Sequence, residues 1–266
     1  MTDHRLKLDH LVIAARTLEE GAQFVAAKFG VGTVAGGAHP LMRTHNRLLN
    51  LWGGAYLEVI AIDPSAAGVE SPRPRLFALD DPAMQRRLAD DGPQLVHWVA
   101  RVERPKSLAR WREQYPARIA PVAAMSRAGN TWGLTVPDDG AFPAWQGAGD
   151  GVLPSLIQWD TPRHPSDALP ETGIALRTLT GFHPAADAVS EQLAWLGAEH
   201  LMRVERTAGA PVLVAQFDLP DGSTLTLGES AEEAVAREED ARQASKRRRV
   251  KKTDTQDDPK TPPQPD

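Results

Sequence analysis

The sequence predicts an α+β fold made of repeated strand–helix–three-strand (βαβββ) units. Three observations carry that expectation. Short apolar runs with period-two alternation recur along the chain, bounded by Gly, Pro, Asn and Asp. A helical pattern follows the first strand of each group. The whole order then returns twice more, with a period of roughly 80 residues, as repeated architectures do.

The first unit covers residues 5–64. Its opening strand puts His10, Val12 and Ala14 on one side and Leu11 and Ile13 on the other. Both sides are largely apolar, so the strand is expected to be covered on both faces. Thr17-Leu-Glu-Glu20 has the capping-box pattern and opens a helix with Leu18, Ala22, Val25 and Phe29 at helical spacing, closed by Gly30. Gly36-Gly37 and Gly53-Gly54 punctuate the return strands, the second pair as a hairpin turn. Residues 65–93 form a connector rich in Pro, Asp and Arg, with a short helix expected over 81–89. The second unit, 92–161, repeats the order: a strand at 94–102, a helix at 106–115, strands at 118–125 and 131–136, a Gly-rich loop at 141–151 and a closing strand. The third, 173–229, has a strand at 174–180, a helix at 186–197 with Val189, Leu193 and Leu196 on one face, and three further short strands. Residues 230–266 are charge-dense and read as a disordered tail. Its basic run, 246–252, has the composition of a nucleic-acid patch, but the plainer reading is a solvated block facing the acidic one at 232–240.

Composition narrows the function classes. The chain has 266 residues, a net charge of -5, 41% hydrophobic and 24% charged residues, all ordinary for a soluble globular protein. That charge gives no reason to expect nucleic acid as a partner. There is no cysteine, which removes disulfides, thiolate ligands and a Cys nucleophile. No run reaches the roughly 18 apolar residues of a membrane helix. No basic segment leading into an apolar stretch is visible near Met1, so a cytoplasmic location is expected. There is no Gly-x-Ser-x-Gly elbow, P-loop or dinucleotide fingerprint.

Four polar residues stand inside strand-like runs: His10, Glu58, His97 and Gln158. Two repeats that each hold two nitrogen or oxygen donors on strands can close one metal site between them. Two imidazoles, a carboxylate and an amide oxygen suit Zn, Ni, Mn, Co or Fe(II). Such a metal would leave positions for substrate oxygens, and Glu58 is the natural base for a C–H proton. Each donor also has a plainer reading. A strand His is often a hydrogen-bonded core residue, His97 can pack beside Trp98, and the Gln158 amide is a good hydrogen-bond partner. His45 and Asn46 are candidate substrate contacts, with Asn46 alternatively satisfying a strand edge. His39 and His164 precede prolines and read as loop-fixing residues. Trp52, Trp98, Trp132, Trp145 and Trp159 supply either an aromatic cavity wall, with Trp98 as the substrate contact, or core.

Taken in order, Leu8-Asp-His-Leu-Val-Ile-Ala14, His39-Pro40, Thr44-His-Asn46, Ala55-Tyr-Leu-Glu-Val-Ile-Ala61, Pro154-Ser-Leu-Ile-Gln-Trp159 and His164-Pro165 resemble the glyoxalase-like domain family of the vicinal-oxygen-chelate superfamily. The resemblance spans about residues 6–228. It implies two paired βαβββ modules curled into an incomplete barrel around a cavity, with a third related module beside them. It implies a divalent metal held by His10, Glu58, His97 and Gln158, and a lyase or isomerase acting on a small carbonyl substrate. It leaves a homodimer open. Gln158 departs from the more typical carboxylate, and the third unit carries no His, Asp or Glu in matching places, which fits a structural part or a lid. A non-haem Fe(II) dioxygenase built on His10, His97 and Glu58, and a metal-free small-ligand-binding protein, are the competing readings.

Overall fold

The computed structural model describes residues 5–228 except Pro72, Ala128 and Pro162, so the charged tail expected at 230–266 lies outside the described residues. The first unit comprises β1 (Lys7–Ala14), α1 (Leu18–Phe29), β2 (Val34–His39), β3 (Thr44–Leu51) and β4 (Ala55–Ile62). After α2 (Pro82–Asp91), the second comprises β5 (Gln94–Arg101), α3 (Leu108–Gln114), β6 (Val122–Arg127), β7 (Asn130–Thr135) and β8 (Ser155–Trp159). The third comprises β9 (Ala175–His183), α4 (Ala186–Leu196), β10 (Arg203–Arg206), β11 (Val212–Asp218) and β12 (Thr224–Leu227).

The first two units share one eight-stranded sheet in the order β2-β3-β4-β1-β5-β8-β7-β6. Within each, the first strand pairs parallel with the fourth, and the two units meet where β1 runs antiparallel to β5. The sheet curls until its edge strands face each other. Arg127 of β6 reaches His39 of β2 at 3.2 Å and Asn46 of β3 at 2.8 Å, so the barrel is nearly closed. The seam needs space. A Cβ on Gly37 would stand 2.7 Å from Arg127 Cδ, and one on Gly36 would collide with the Asn46 side-chain oxygen. The Gly pair therefore does more than punctuate β2; it admits two side chains from across the seam.

Local rules fix the helices. Thr17 accepts from Glu20 N at 3.1 Å, and Gly30, at φ 69°, ends α1. The Glu20 carboxylate accepts from Arg16 instead of closing the capping box. Helix α3 starts later than the apolar spacing suggests because Ser107 caps it. Asp81 caps α2, whose Pro82 occupies the first turn.

Two apolar layers line the eight-stranded sheet. Inside the barrel, Val12, Ala14, Ile60, Val99, Leu134 and Ile157 pack with Leu76, Phe77 and Leu79 from the connector and Met84 and Leu88 from α2. Outside, Leu11, Ile13, Leu57, Val59, Trp98 and Ala100 pack against α1, α3 and α4. The third unit has the same element order but its own pairing, β10-β9-β11-β12, with β9 interior and β10 parallel to it. It lies on the outer layer, where Phe217 meets Phe29 edge-on at 5.0 Å and Leu6 N donates to Gly197 O at 3.0 Å. It is not the lid over the barrel; the connector fills that place. Among the described residues no helix is long and apolar enough to cross a membrane.

Candidate active site

The site begins at an irregularity in β1. The ladder to β5 shifts register between Leu8 and His10, leaving Asp9 as the extra residue. Neighbouring strand residues normally point to opposite faces, but a bulge re-aims them. Here it lets Asp9 Oδ1 accept from His10 Nδ1 at 2.7 Å. Asp9 Oδ2 accepts from Trp159 Nε1 and His164 Nε2, both at 2.9 Å. The His164 tautomer follows from Ser166 N, which donates to Nδ1. Asp9 is fully buried. Burial alone would raise its pKa, but the hydrogen bonds from His10 and His164 and their charges overcome that and hold the carboxyl well below the usual range. Beside it, burial and the Asp9 and Glu58 charges push the Tyr56 phenol up, so it stays protonated; its ring stacks on His10 at 4.7 Å.

His10 Nε2 then faces Glu58 Oε2 across 3.5 Å. The register makes this approach: Tyr56 lies opposite His10 and Glu58 opposite Val12 in the parallel ladder, so both polar groups share the inner face. Asn46 holds the other carboxylate oxygen, donating from Nδ2 to Glu58 Oε1 at 2.5 Å. Asn46 Oδ1 accepts from Gly37 N at 2.9 Å and from Arg127 Nη1 at 2.8 Å. His39 completes the set. Its Nδ1 faces Thr44 Oγ1 at 3.2 Å while its Nε2 accepts from Arg127. Burial lowers the His39 pKa to about 4, with Arg127 adding to the shift and Glu58 opposing it, so the ring is neutral. One polar chain thus runs from Arg127 through Asn46, Glu58 and His10 to Asp9 and His164.

Arg127, His39, Asn46, Glu58, His10 and Tyr56 line a small cavity of about 30 Å³ with Trp132, Leu134, Ile157 and Trp159, together with Leu76 and Phe77 of the connector; Asp9 and His164 stand behind its wall. That volume admits water-sized occupants only.

Of the four donors expected around one point, the structure brings His10 and Glu58 together and places His97 and Gln158 elsewhere. His97 is fully buried, between Phe77 and Phe142, and both its nitrogens are engaged. Ser155 N donates to Nε2 at 3.1 Å, so the proton sits on Nδ1, which bonds Gly151 O at 3.0 Å. Burial lowers its pKa to about 3. Gln158 points to the outer face: Oε1 accepts from Leu108 N at 3.0 Å, and Nε2 donates to Lys106 O at 2.7 Å. It fastens the start of α3, and its inward neighbours are Ile157 and Trp159. Trp98, a candidate substrate contact, lies in the outer core with its Nε1 bonded to Val152 O. His45 lies on the face of β3 opposite Asn46 and does not reach the cavity.

A metal therefore has two donors in place, His10 and Glu58. Among the described residues no group of three or more His, Asp or Glu side chains is arranged to hold an ion. The Arg127 guanidinium lines the same cavity and adds positive charge to it. The residues do not fit the four-ligand site, and the His10–His97–Glu58 triad of the dioxygenase reading lacks its second imidazole. Asp9 and Arg127 do not stand out in the sequence, and His39 and His164, expected to fix loops, are part of the buried polar cluster. A charged residue inside an apolar strand was the available signal for Asp9, since such a group is buried only when paired.

Two βαβββ modules forming one nearly closed sheet, with a polar cluster buried on its inner face, define a protein of the vicinal-oxygen-chelate fold. The chain matches the glyoxalase-like domain family over residues 8–197 and belongs to it. Solved structures similar to it include a hypothetical protein from Staphylococcus aureus, 12% identical, covering 83% of this chain and 85% of that one with a TM-score of 0.49. Methylmalonyl-CoA epimerase from Mycobacterium tuberculosis is 14% identical, covering 63% and 96% with a TM-score of 0.36. A variant of the Streptomyces coelicolor epimerase in complex with 2-nitronate-propionyl-CoA is 16% identical, covering 58% and 98% with a TM-score of 0.36. No curated protein matches the chain.

Proposed function

We propose that the protein is an isomerase or lyase that moves a proton on a small carbonyl compound, with Glu58 as its base. The approach of His10 Nε2 to Glu58 Oε2 at 3.5 Å, on the wall of a buried cavity, carries this reading. Glu58 Oε1 is held by Asn46, which leaves Oε2 to take a proton from the carbon beside the carbonyl. His10 stands against that oxygen and can hold the proton or deliver it to substrate oxygen. Asp9 is a positioning residue, because its bond to Nδ1 fixes the ring and turns Nε2 to Glu58. Trp132, Trp159, Leu134 and Ile157 keep bulk water from the reacting atoms. Substrate entry requires the connector bearing Leu76 and Phe77 to move, since the closed cavity is too small for an organic molecule.

The test is proton exchange: dihydroxyacetone, glyceraldehyde and an α-ketoaldehyde–thiol adduct are incubated with the protein in D₂O and followed by NMR. Wild type should exchange the C–H proton of at least one, and Glu58→Gln should slow it by about 10²–10⁴-fold. Absence of exchange across the panel contradicts the proposal. Binding without exchange would favour the metal-free binding protein, a reading that the aromatic cavity wall also suits.

A further inference from the structure

We propose that Arg127 does the electrophile's work in this barrel, receiving the oxyanion of the substrate, and that the substrate is a small carbonyl compound whose enolate or adjoining carboxylate oxygens pair with its guanidinium. This rests on the proton-transfer reading of Glu58 and deepens it.

Five features of the seam support the assignment. Arg127 lines the same cavity as His10 and Glu58. Only its Nη1 is used, donating to Asn46 Oδ1 and His39 Nε2; Nε and Nη2 make no hydrogen bond to any described residue. That leaves three of the guanidinium's five N–H groups for a ligand, and such forks match planar oxyanions. Asn46 ties base and cation to the two ends of one amide, with Nδ2 on Glu58 and Oδ1 on Arg127. Gly37 leaves the room that the Arg127 stem occupies. His39, held neutral by burial, accepts from the guanidinium without adding a second positive charge.

The chemistry balances without a further reactant. Glu58 Oε2 takes the proton on the carbon beside the carbonyl. The C–H electron pair becomes the carbon–carbon double bond of the enolate, and the carbonyl π pair moves to oxygen. Arg127 pairs with that oxygen, and the proton returns to the same or the neighbouring carbon. Fixed donors aimed at a developing oxyanion in a water-poor site commonly contribute about 10²–10³ in rate each.

Oxalate, a planar dianion shaped like an enediolate, is the probe. It is titrated into the protein with EDTA present, followed by calorimetry and by the fluorescence of the cavity residues Trp132 and Trp159. Wild type should bind one equivalent, Arg127→Gln should bind at least about tenfold more weakly, and Arg127→Lys should fall between them. Glu58→Gln should bind as well as wild type or better, having lost a like charge. Failure of wild type to bind, unchanged binding in Arg127→Gln, or binding that needs an added divalent metal would overturn the proposal. If Arg127→Gln does not fold, Arg127→Lys decides: affinity equal to wild type overturns it. The titration needs no turnover, so it fails or succeeds separately from the deuterium exchange that tests Glu58.

Discussion

The first and second modules share a topology, but the first lines the cavity with His10, Asn46 and Glu58 while the second lines it with apolar side chains and one guanidinium, Arg127. The lining from β7 and β8 is Trp132, Leu134, Ile157 and Trp159. The sequence makes His97 look like His10 and Gln158 look like Glu58, yet His97 and Gln158 hold the backbone together. His97 joins β5 to Gly151 and Ser155, and Gln158 fastens α3. Repetition of architecture does not carry repetition of chemistry: Gln158 falls on the outer face, since one residue along a strand changes the side, and His97, though inward, has both nitrogens taken by Gly151 and Ser155.

Exchanging the matched residues breaks this comparison if it is wrong. Glu58→Gln should remove about 10²–10⁴ of the exchange rate while leaving the melting temperature within a few degrees, whereas Gln158→Glu should leave exchange nearly intact. His97→Ala should cost about 3 kcal/mol or more of stability, because it empties a packed buried site and strands Gly151 O and Ser155 N. Chemical denaturation measures that loss, and a matching loss of oxalate affinity in the folded variant would speak against a purely structural His97. Gln158→Leu should cost about 1–2 kcal/mol through the lost bonds to Leu108 N and Lys106 O, again without change in ligand binding.

Acid sharpens the contrast further. His39 and His97 have folded pKa values lowered to about 4 and about 3. A lowered histidine is neutral when folded and protonates more readily when unfolded. Its contribution is therefore full above about pH 6.5 and is lost as pH falls toward the folded value. Each histidine should cost on the order of 1 kcal/mol per pH unit below pH 6.5. His97→Gln should flatten that slope in denaturation curves taken at several pH values; an unchanged slope would mean that His97 is not buried neutral.

The modular plan is legible because alternation, caps and glycine turns are local. Thr17, Gly30 and the Gly53-Gly54 hairpin act within a few residues of their place in the chain. The facing of Gln158 is not legible. Its strand is apolar on both sides of the sheet, so period two separates two faces without telling which is the cavity. Asp9 depends on a bulge that only the ladder to β5 creates, and Arg127 on the curling that brings β6 to β2. The third unit's pairing is set by packing on the outer layer, which element order alone does not determine.

On the proposed proton transfer, only the first module supplies the proton-carrying groups, and the second module's histidine is locked into structure. Long-range ¹H–¹⁵N NMR of the imidazole rings tests it directly. His97 should stay neutral, protonated on Nδ1, from pH 8 to pH 5 and be untouched by added Zn²⁺ or oxalate, while oxalate should shift His10. Joint displacement of His10, His97 and the Gln158 amide on adding Zn²⁺ would contradict it.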